Sequence, residues 1–217
     1  MIVIVDYRAG NLASVRTALD HLGIHSRIVS TGEELRRACV DSACRIVFPG
    51  VGHARAAMAT LKRSHLDSAL REAFESGIPI LGICLGAQII LSHSEEGDTA
   101  CLDLVAGGCP RFHPSDRSLK IPHMGWNEVA MTQPHPVLED VKAGDEFYFV
   151  HSYYARPDDA SHVFATCEHG IAFPAAIGYR NLFATQFHPE KSGRIGLDLL
   201  RNFYEWDGSV QRPQYAE

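Results

Sequence analysis

Ile78-Pro79-Ile80-Leu81-Gly82-Ile83-Cys84-Leu85-Gly86-Ala87-Gln88-Ile89-Ile90-Leu91 is the stretch whose reading decides the fold. It opens as an apolar run with β-branched residues at alternate positions, a buried strand, and closes as an apolar run that reads as a helix. Between the two lies Gly82-Ile83-Cys84-Leu85-Gly86, the cysteine form of a nucleophile elbow, a sharp strand-to-helix turn that lifts its central residue above a sheet. Such a turn is strained and needs small flanking residues, which Gly82 and Gly86 supply. At a helix N-terminus Cys84 would meet unpaired amides and the macrodipole, both of which favour a thiolate. Free cysteine is also among the most buried residue types, so the same stretch can be read as core with an inert thiol. A partner base decides between the two.

Upstream, strand and helix patterns alternate. Ile2 to Val5 is a buried strand, and Asn11 can cap a helix with the stripe Leu12, Val15, Leu19 and Leu22, stopped by Gly23. A second strand follows at Arg27 to Val29, and Thr31-Gly32-Glu33-Glu34 is a capping-box pattern for a short helix. Arg45 to Phe48 is a third strand ending in Pro49-Gly50-Val51-Gly52, and helical segments at Ala54 to Leu61 and Leu66 to Phe74 lead to the elbow strand. This rhythm predicts βαβ units: an α/β fold with a mostly parallel open sheet flanked by helices. Gly97 to Asp116 loosens into a connection. Beyond it Asn127 to Met131, Glu146 to Val150, His162 to Thr166 and Ala175 to Tyr179 read as antiparallel strands, an extension packed on the parallel sheet. Leu182 to Phe187 is a last buried strand, and a helix from about Gly193 to Trp206 turns Ile195, Leu199 or Leu200, and Phe203 inward. One domain over 1–208 and a frayed tail over 209–217 are expected.

Totals narrow the function. The 217 residues are 46% hydrophobic and 21% charged, which suits a sizeable core and argues against a disordered chain. A formal charge of −6 without a Lys/Arg cluster argues against nucleic acid and anionic membranes. The start Met1-Ile2-Val3-Ile4-Val5 has no basic leader, so a cytoplasmic chain with six reduced cysteines is expected. The twelve histidines show no metal-ligand spacing, so no metal and no other cofactor is expected.

The missing base stands at the end of the last strand, in Gln186-Phe187-His188-Pro189-Glu190. A thiol nucleophile needs an imidazole to take its proton and return it to the leaving group, and a carboxylate to orient that imidazole. With Pro189 fixing the turn, His188 and Glu190 can project toward one cleft. Pro49-Gly50-Val51-Gly52 also lies at a strand's carboxyl end, where open α/β sheets place their sites, and its amides with that of Leu85 could form an oxyanion hole. Each element alone has a structural reading (a tight turn, a satisfied histidine, a solvated glutamate). Their conjunction points to thiol chemistry.

These residues resemble the class I (triad) glutamine amidotransferases, over nearly the whole chain and with specific motifs. The resemblance implies a flavodoxin-like fold with glutamine as substrate, Cys84 as nucleophile, His188 as general acid/base and Glu190 as its orienter. It also implies an oxyanion hole from Val51, Gly52 and Leu85, and Gln88 with His151, Ser152 and Tyr153 for the substrate's polar end. The stretches Asp6-Tyr7, Gly10-Asn11, Pro49-Gly50-Val51-Gly52-His53, Pro122-His123-Met124-Gly125-Trp126-Asn127, His151-Ser152-Tyr153 and Gln186 to Ser192 are similar to the branch formed by glutaminase subunits of imidazole glycerol phosphate synthases. That branch implies a heterodimer with a (β/α)8-barrel cyclase that receives ammonia, with Asn11, His123, Trp126 and Lys191 at or near the interface. Glutamine hydrolysis without an acceptor is wasteful, so the Pro49 to Gly52 amides are expected to be misoriented in the free subunit. The liganded partner would reorient them, a coupling of about 1–3 kcal/mol or more. Three rivals stay open at this stage: another triad amidotransferase, a free-standing peptidase-like hydrolase on the same fold, and a binding subunit without activity.

Overall fold

The computed structural model describes residues 1–8, 11–40, 44–114, 116 and 118–209. In chain order its first half runs β1 (Ile2–Val5), α1 (Leu12–His21), β2 (Ser26–Val29), α2 (Gly32–Ala38), β3 (Arg45–Gly50), α3 (Ala54–Arg63), α4 (Leu66–Glu75), β4 (Ile80–Cys84) and α5 (Leu85–Ile89). The second half runs β5 (His93–Ser94), β6 (Thr99–Ala100), β7 (Gly107–Cys109), β8 (His123–Glu128), β9 (Ala130–Met131), β10 (Glu146–His151) and β11 (Arg156–Pro157). It closes with β12 (Val163–Glu168), β13 (Ala172–Tyr179), β14 (Leu182–Thr185) and α6 (Gly193–Glu205).

Eight strands form the main sheet in the order β2-β1-β3-β4-β14-β13-β12-β9. The first five pair in parallel, and β13, β12 and β9 continue the sheet antiparallel. Of the expected extension, β13, β12 and β9 are hydrogen-bonded into the edge of the sheet, whereas β8 and β10 pair with each other in a separate two-stranded antiparallel sheet. Strand β1 shows why its apolar run is unbroken: Val3 and Val5 enter the core on one face, Ile2 and Ile4 on the other. One face is covered by α2, α3 and α4 through Leu35, Leu61 and Leu70, the other by α1 and α6 through Leu19, Leu199, Leu200 and Phe203. Both Leu199 and Leu200 point inward, and Ile195 is only partly buried against them.

Local signals behave as their chemistry dictates, with informative shifts. Asn11 caps α1 by accepting from Ser14 N–H, and Thr31 caps α2 by accepting from Glu34 N–H. The return arm of the capping box reaches one residue further back, Glu34 Oε2 accepting from Ser30 N–H at 2.7 Å. The Gly97 to Asp116 connection is not loose. It contributes β6 and β7 to a four-stranded sheet ordered β11-β7-β5-β6, whose two- and three-residue strands are too short to show any alternation in sequence. The last strand stops at Thr185, whose hydroxyl donates to Phe187 C=O and turns the chain out of the ladder. Cys39 and Cys44 are joined as a disulfide, against the expectation of six free thiols. Cys39 caps α2 and Cys44 immediately precedes β3, which holds their Cα atoms 5.2 Å apart, within bridging range. Of the expected tail, 210–217 lies outside the described residues.

Candidate active site

Three adjacent strands end at one place. Cys84 closes β4 in the middle of the sheet, Gly50 of β3 pairs with it in register, and Thr185 of β14 pairs with Ile83 on the other side. Parallel register thus sets the Gly50 loop, the thiol and the Gln186 to Glu190 turn side by side. Cys84 has φ 54° and ψ −107°, a backbone state that costs a side-chain-bearing residue energy and marks a tightly enforced elbow. The enforcement is visible at Gly86, where a methyl group would come 1.9 Å from Phe48 O of the neighbouring strand. Gly82 is less absolute: its methyl would lie 3.1 Å from Ala184 Cβ.

His188 and Glu190 meet as the sequence spacing suggests. His188 Nδ1 lies 2.8 Å from Glu190 Oε1, and both side chains are only 2% exposed. The turn that holds them is clamped through its backbone. His188 N–H donates to Tyr148 C=O, Ser192 Oγ donates to His188 C=O at 2.6 Å, and Tyr148 N–H donates to Ser192 Oγ. His188 Nε2 is buried without a hydrogen-bond partner of ordinary geometry. Burial works against a charged imidazole, yet the charge and side-chain contact of Cys84, reinforced by Glu190, raise the His188 pKa to about 10. At neutral pH the ring therefore carries a proton beside the sulfur.

Cys84 is 6% exposed and opens onto a cavity of about 270 Å³. Its wall contains Val51, Gly52, Leu85, Gln88, His151, Ser152 and Tyr153, together with Glu96, Pro122 and Val150. Every residue expected at the oxyanion hole or substrate end is on that wall; His188 and Glu190 are not. Gln88 is buried, its Nε2 donating to Tyr153 C=O at 2.8 Å and to Gln186 Oε1 at 3.1 Å. With both amide hydrogens engaged in the protein, its Oε1 is the end left to accept from a ligand. The His151 side chain turns inward to His123, so His151 itself can meet a substrate only through its backbone.

Sequence reasoning missed two neighbours of the sulfur and one further residue of the cavity wall. Gln186 is 1% exposed and its Nε2 lies 3.8 Å from Cys84 Sγ, while Val150 C=O lies 3.9 Å away. Glu96 faces the cavity from the small sheet, its Oε2 accepting from Ala54 N–H at 2.6 Å. Gln186 stood next to the histidine motif and could have been suspected from an amide at a strand end. Glu96 stands just before the stretch read as a connection and carried no signal.

The expected interface residues separate. Trp126 is 53% exposed and meets Tyr148 edge-on, and Lys191 Nζ lies 5.8 Å from the same Tyr148 ring. Asn11 is exposed at the start of α1. His123 does not share the outer face. Side chains of β8 alternate, so Met124 and Trp126 face out while His123 is 4% exposed, stacked on Phe149 and bonded to His151. Met124, 63% exposed, stands on the outer face beside Trp126.

Among the described residues no helix is long and apolar enough to cross a membrane, and no group of three or more His, Cys, Asp or Glu is arranged to hold a metal ion. Comparison with known proteins matches residues 3–206 to the family described as glutamine amidotransferase class-I. A protein of Nitratidesulfovibrio vulgaris (strain DSM 19637 / Miyazaki F), named imidazole glycerol phosphate synthase subunit HisH, is 46% identical over 98% of this chain and 100% of its own. The protein of that name from Moorella thermoacetica is 44% identical over 94% of each chain. A crystal structure of a glutamine amidotransferase superposes with a TM-score of 0.73 at 18% identity, covering 96% of this chain and all of the other. The structure of PurLQS from Thermotoga maritima gives 0.68 at 18% identity over 94% of this chain and 97% of the other, likewise a likeness of fold. The chain belongs to the class-I glutamine amidotransferases and, within them, to the HisH type.

Proposed function

We propose that this chain is the glutaminase subunit of an imidazole glycerol phosphate synthase, releasing ammonia from glutamine for a (β/α)8-barrel cyclase subunit that makes imidazole glycerol phosphate and an aminoimidazole carboxamide ribotide. The observation that carries the chemistry is His188 held between Glu190 and Cys84, with the sulfur at the wall of a cavity. With the imidazole holding the proton, the Cys84 sulfur attacks the side-chain carbonyl of glutamine as a thiolate. The oxygen that becomes negative is met by the amides of Leu85 and of Val51 or Gly52. His188 gives its proton to the departing nitrogen, ammonia leaves, and a γ-glutamyl thioester remains on Cys84. The now neutral imidazole takes a proton from water, whose oxygen breaks the thioester, and glutamate departs with the thiolate restored. Throughout, Glu190 fixes the ring through Nδ1 and stabilises its charged form.

Substrate recognition is shared among several polar groups of the wall. Gln88 Oε1 and the Glu96 carboxylate suit the ammonium of an amino acid, and backbone groups of His151 to Tyr153 suit its polar end. The patch of Trp126, Met124, Tyr148 and Lys191 is proposed to meet the cyclase, since exposed aromatic and Met side chains beside a catalytic turn are what interfaces use. In the cytoplasm, where both subunits would act, the Pro49 to Gly52 loop would be reoriented by the liganded partner before its amides serve. Glutamate release is measured for the chain alone, for the chain with cyclase and its ribonucleotide ligand, and for Cys84→Ala in that mixture. Weak activity alone, strong activity in the complex and none in the variant is expected. Full activity of the free chain would contradict partner gating, and activity in the variant would contradict the nucleophile.

A further inference from the structure

The mechanism leaves Tyr7 without a task. It follows β1, and its ring packs on Phe48 of β3 with centroids 5.2 Å apart. The residue is 2% exposed, and its hydroxyl oxygen is buried with no hydrogen-bond partner. A phenol can both donate and accept, and buried polar groups are nearly always paired, so an orphan of this kind calls for a physical cause.

Its surroundings supply one. A methyl group on Gly50 would come 1.9 Å from the Tyr7 hydroxyl, and the same point lies 2.9 Å from Leu85 Cβ and 3.0 Å from Gly86 N. The hydroxyl thus sits against the Gly50 backbone, where the two segments proposed to supply oxyanion amides converge. Val51, Gly52 and Leu85 line the substrate cavity, and Tyr7 does not, so the hydroxyl reaches Gly50 from outside the cavity. Burial, and then the charge of Cys84, hold the phenol well above its ordinary pKa, so it stays a neutral donor.

A planar peptide that turns its N–H one way turns its C=O the other. If the Gly50–Val51 peptide aims Val51 N–H into the cavity, the Gly50 carbonyl swings out of it, into a region closed to water. A buried carbonyl there needs a donor. We propose that Tyr7 is a positioning residue of the oxyanion loop, its hydroxyl receiving the Gly50 carbonyl when the Gly50–Val51 peptide turns into its active orientation. The resting orphan is then a partner held ready for the active state, and Gly50 carries no side chain because any Cβ would strike the hydroxyl. This assignment rests on the loop gating proposed above.

Tyr7→Phe removes the hydroxyl and keeps the ring. Glutamate release is measured for wild type and Tyr7→Phe, each with the cyclase and its ribonucleotide ligand, and for wild type without them. In the complex, kcat of the variant is expected to fall at least about ten-fold while KM for glutamine stays within about two-fold, the signature of an interaction made in the transition state. The melting temperature of the variant protein is expected to equal or exceed that of wild type, because the hydroxyl makes no bond at rest. A kcat within about two-fold of wild type overturns the assignment. A fall in kcat with a matching loss of melting temperature overturns it too, since that marks packing. If the liganded partner fails to stimulate wild type, the gating itself is wrong and this assignment falls with it; stimulation of both proteins alike removes the assignment alone.

Discussion

At the end of β14, His188 is 2% exposed and its pKa is raised to about 10; on β8 and β10, His123 and His151 are 4% and 5% exposed and their pKa values are lowered to about 4 and about 3. Exposure is the same and the outcome opposite. In the second region the hydrogen-bond partners are uncharged, and after burial the neighbouring imidazoles push in the same direction. Asn127 Nδ2 donates to His123 Nε2, His123 Nδ1–H donates to His151 Nε2, and His151 Nδ1–H donates to Tyr153 C=O, so each ring is satisfied with one proton. His169 stacks on His123 and donates to Lys120 C=O, and Phe112, Phe149 and Phe173 wall the group. Burial sets the direction there. At His188 burial pulls the same way and is overcome by the charge and side-chain contact of Cys84 and by the Glu190 carboxylate. Neighbouring charge, not burial, separates a working histidine from a structural one.

The difference can be attacked from the strong side first. Glu190→Gln keeps the side chain's shape and removes its charge, and kcat in the complex should fall about 10²-fold or more, with the His188 pKa lowered. A variant with near-normal kcat would mean that Cys84 alone organises the imidazole.

The neutral region predicts an acid weakness. His123, and His151 with His135, whose pKa is about 3, have folded values below the unfolded value of 6.5. Their contribution to stability is present above pH 6.5 and is lost as pH falls below it, because the unfolded chain then binds more protons. His188 runs the other way: its contribution is complete below pH 6.5 and is lost as pH rises through about 10. Melting at pH 5 should therefore occur at least about 5 °C below melting at pH 7.5. An unchanged melting temperature would contradict the neutral assignment. The smallest effect belongs to the rim of the cluster. His169→Gln, exposed on one side, should leave glutamate release within about two-fold, and a larger loss would tie the cluster to catalysis.

Much of this was legible in the residues alone. Repeating strand and helix periods and two strand-end motifs specify the parallel sheet and bring Cys84 beside His188, since register follows from which strands are neighbours. The small four-stranded sheet was less legible: β5, β6, β7 and β11 are held by pairing, not by their own two or three residues. The same limit hid Glu96, and strand alternation, rather than motif identity, decided that His123 faces in and Met124 out.

The most direct test is the titration of the His188 imidazole by NMR in the free chain and in Cys84→Ala, with His188→Asn identifying the signal. Paired chemistry predicts a ring protonated well above pH 7 in wild type and a clearly lower pKa once the sulfur is gone. A wild-type ring that titrates at or below the ordinary value near 6.5, and does not move in Cys84→Ala, would contradict it.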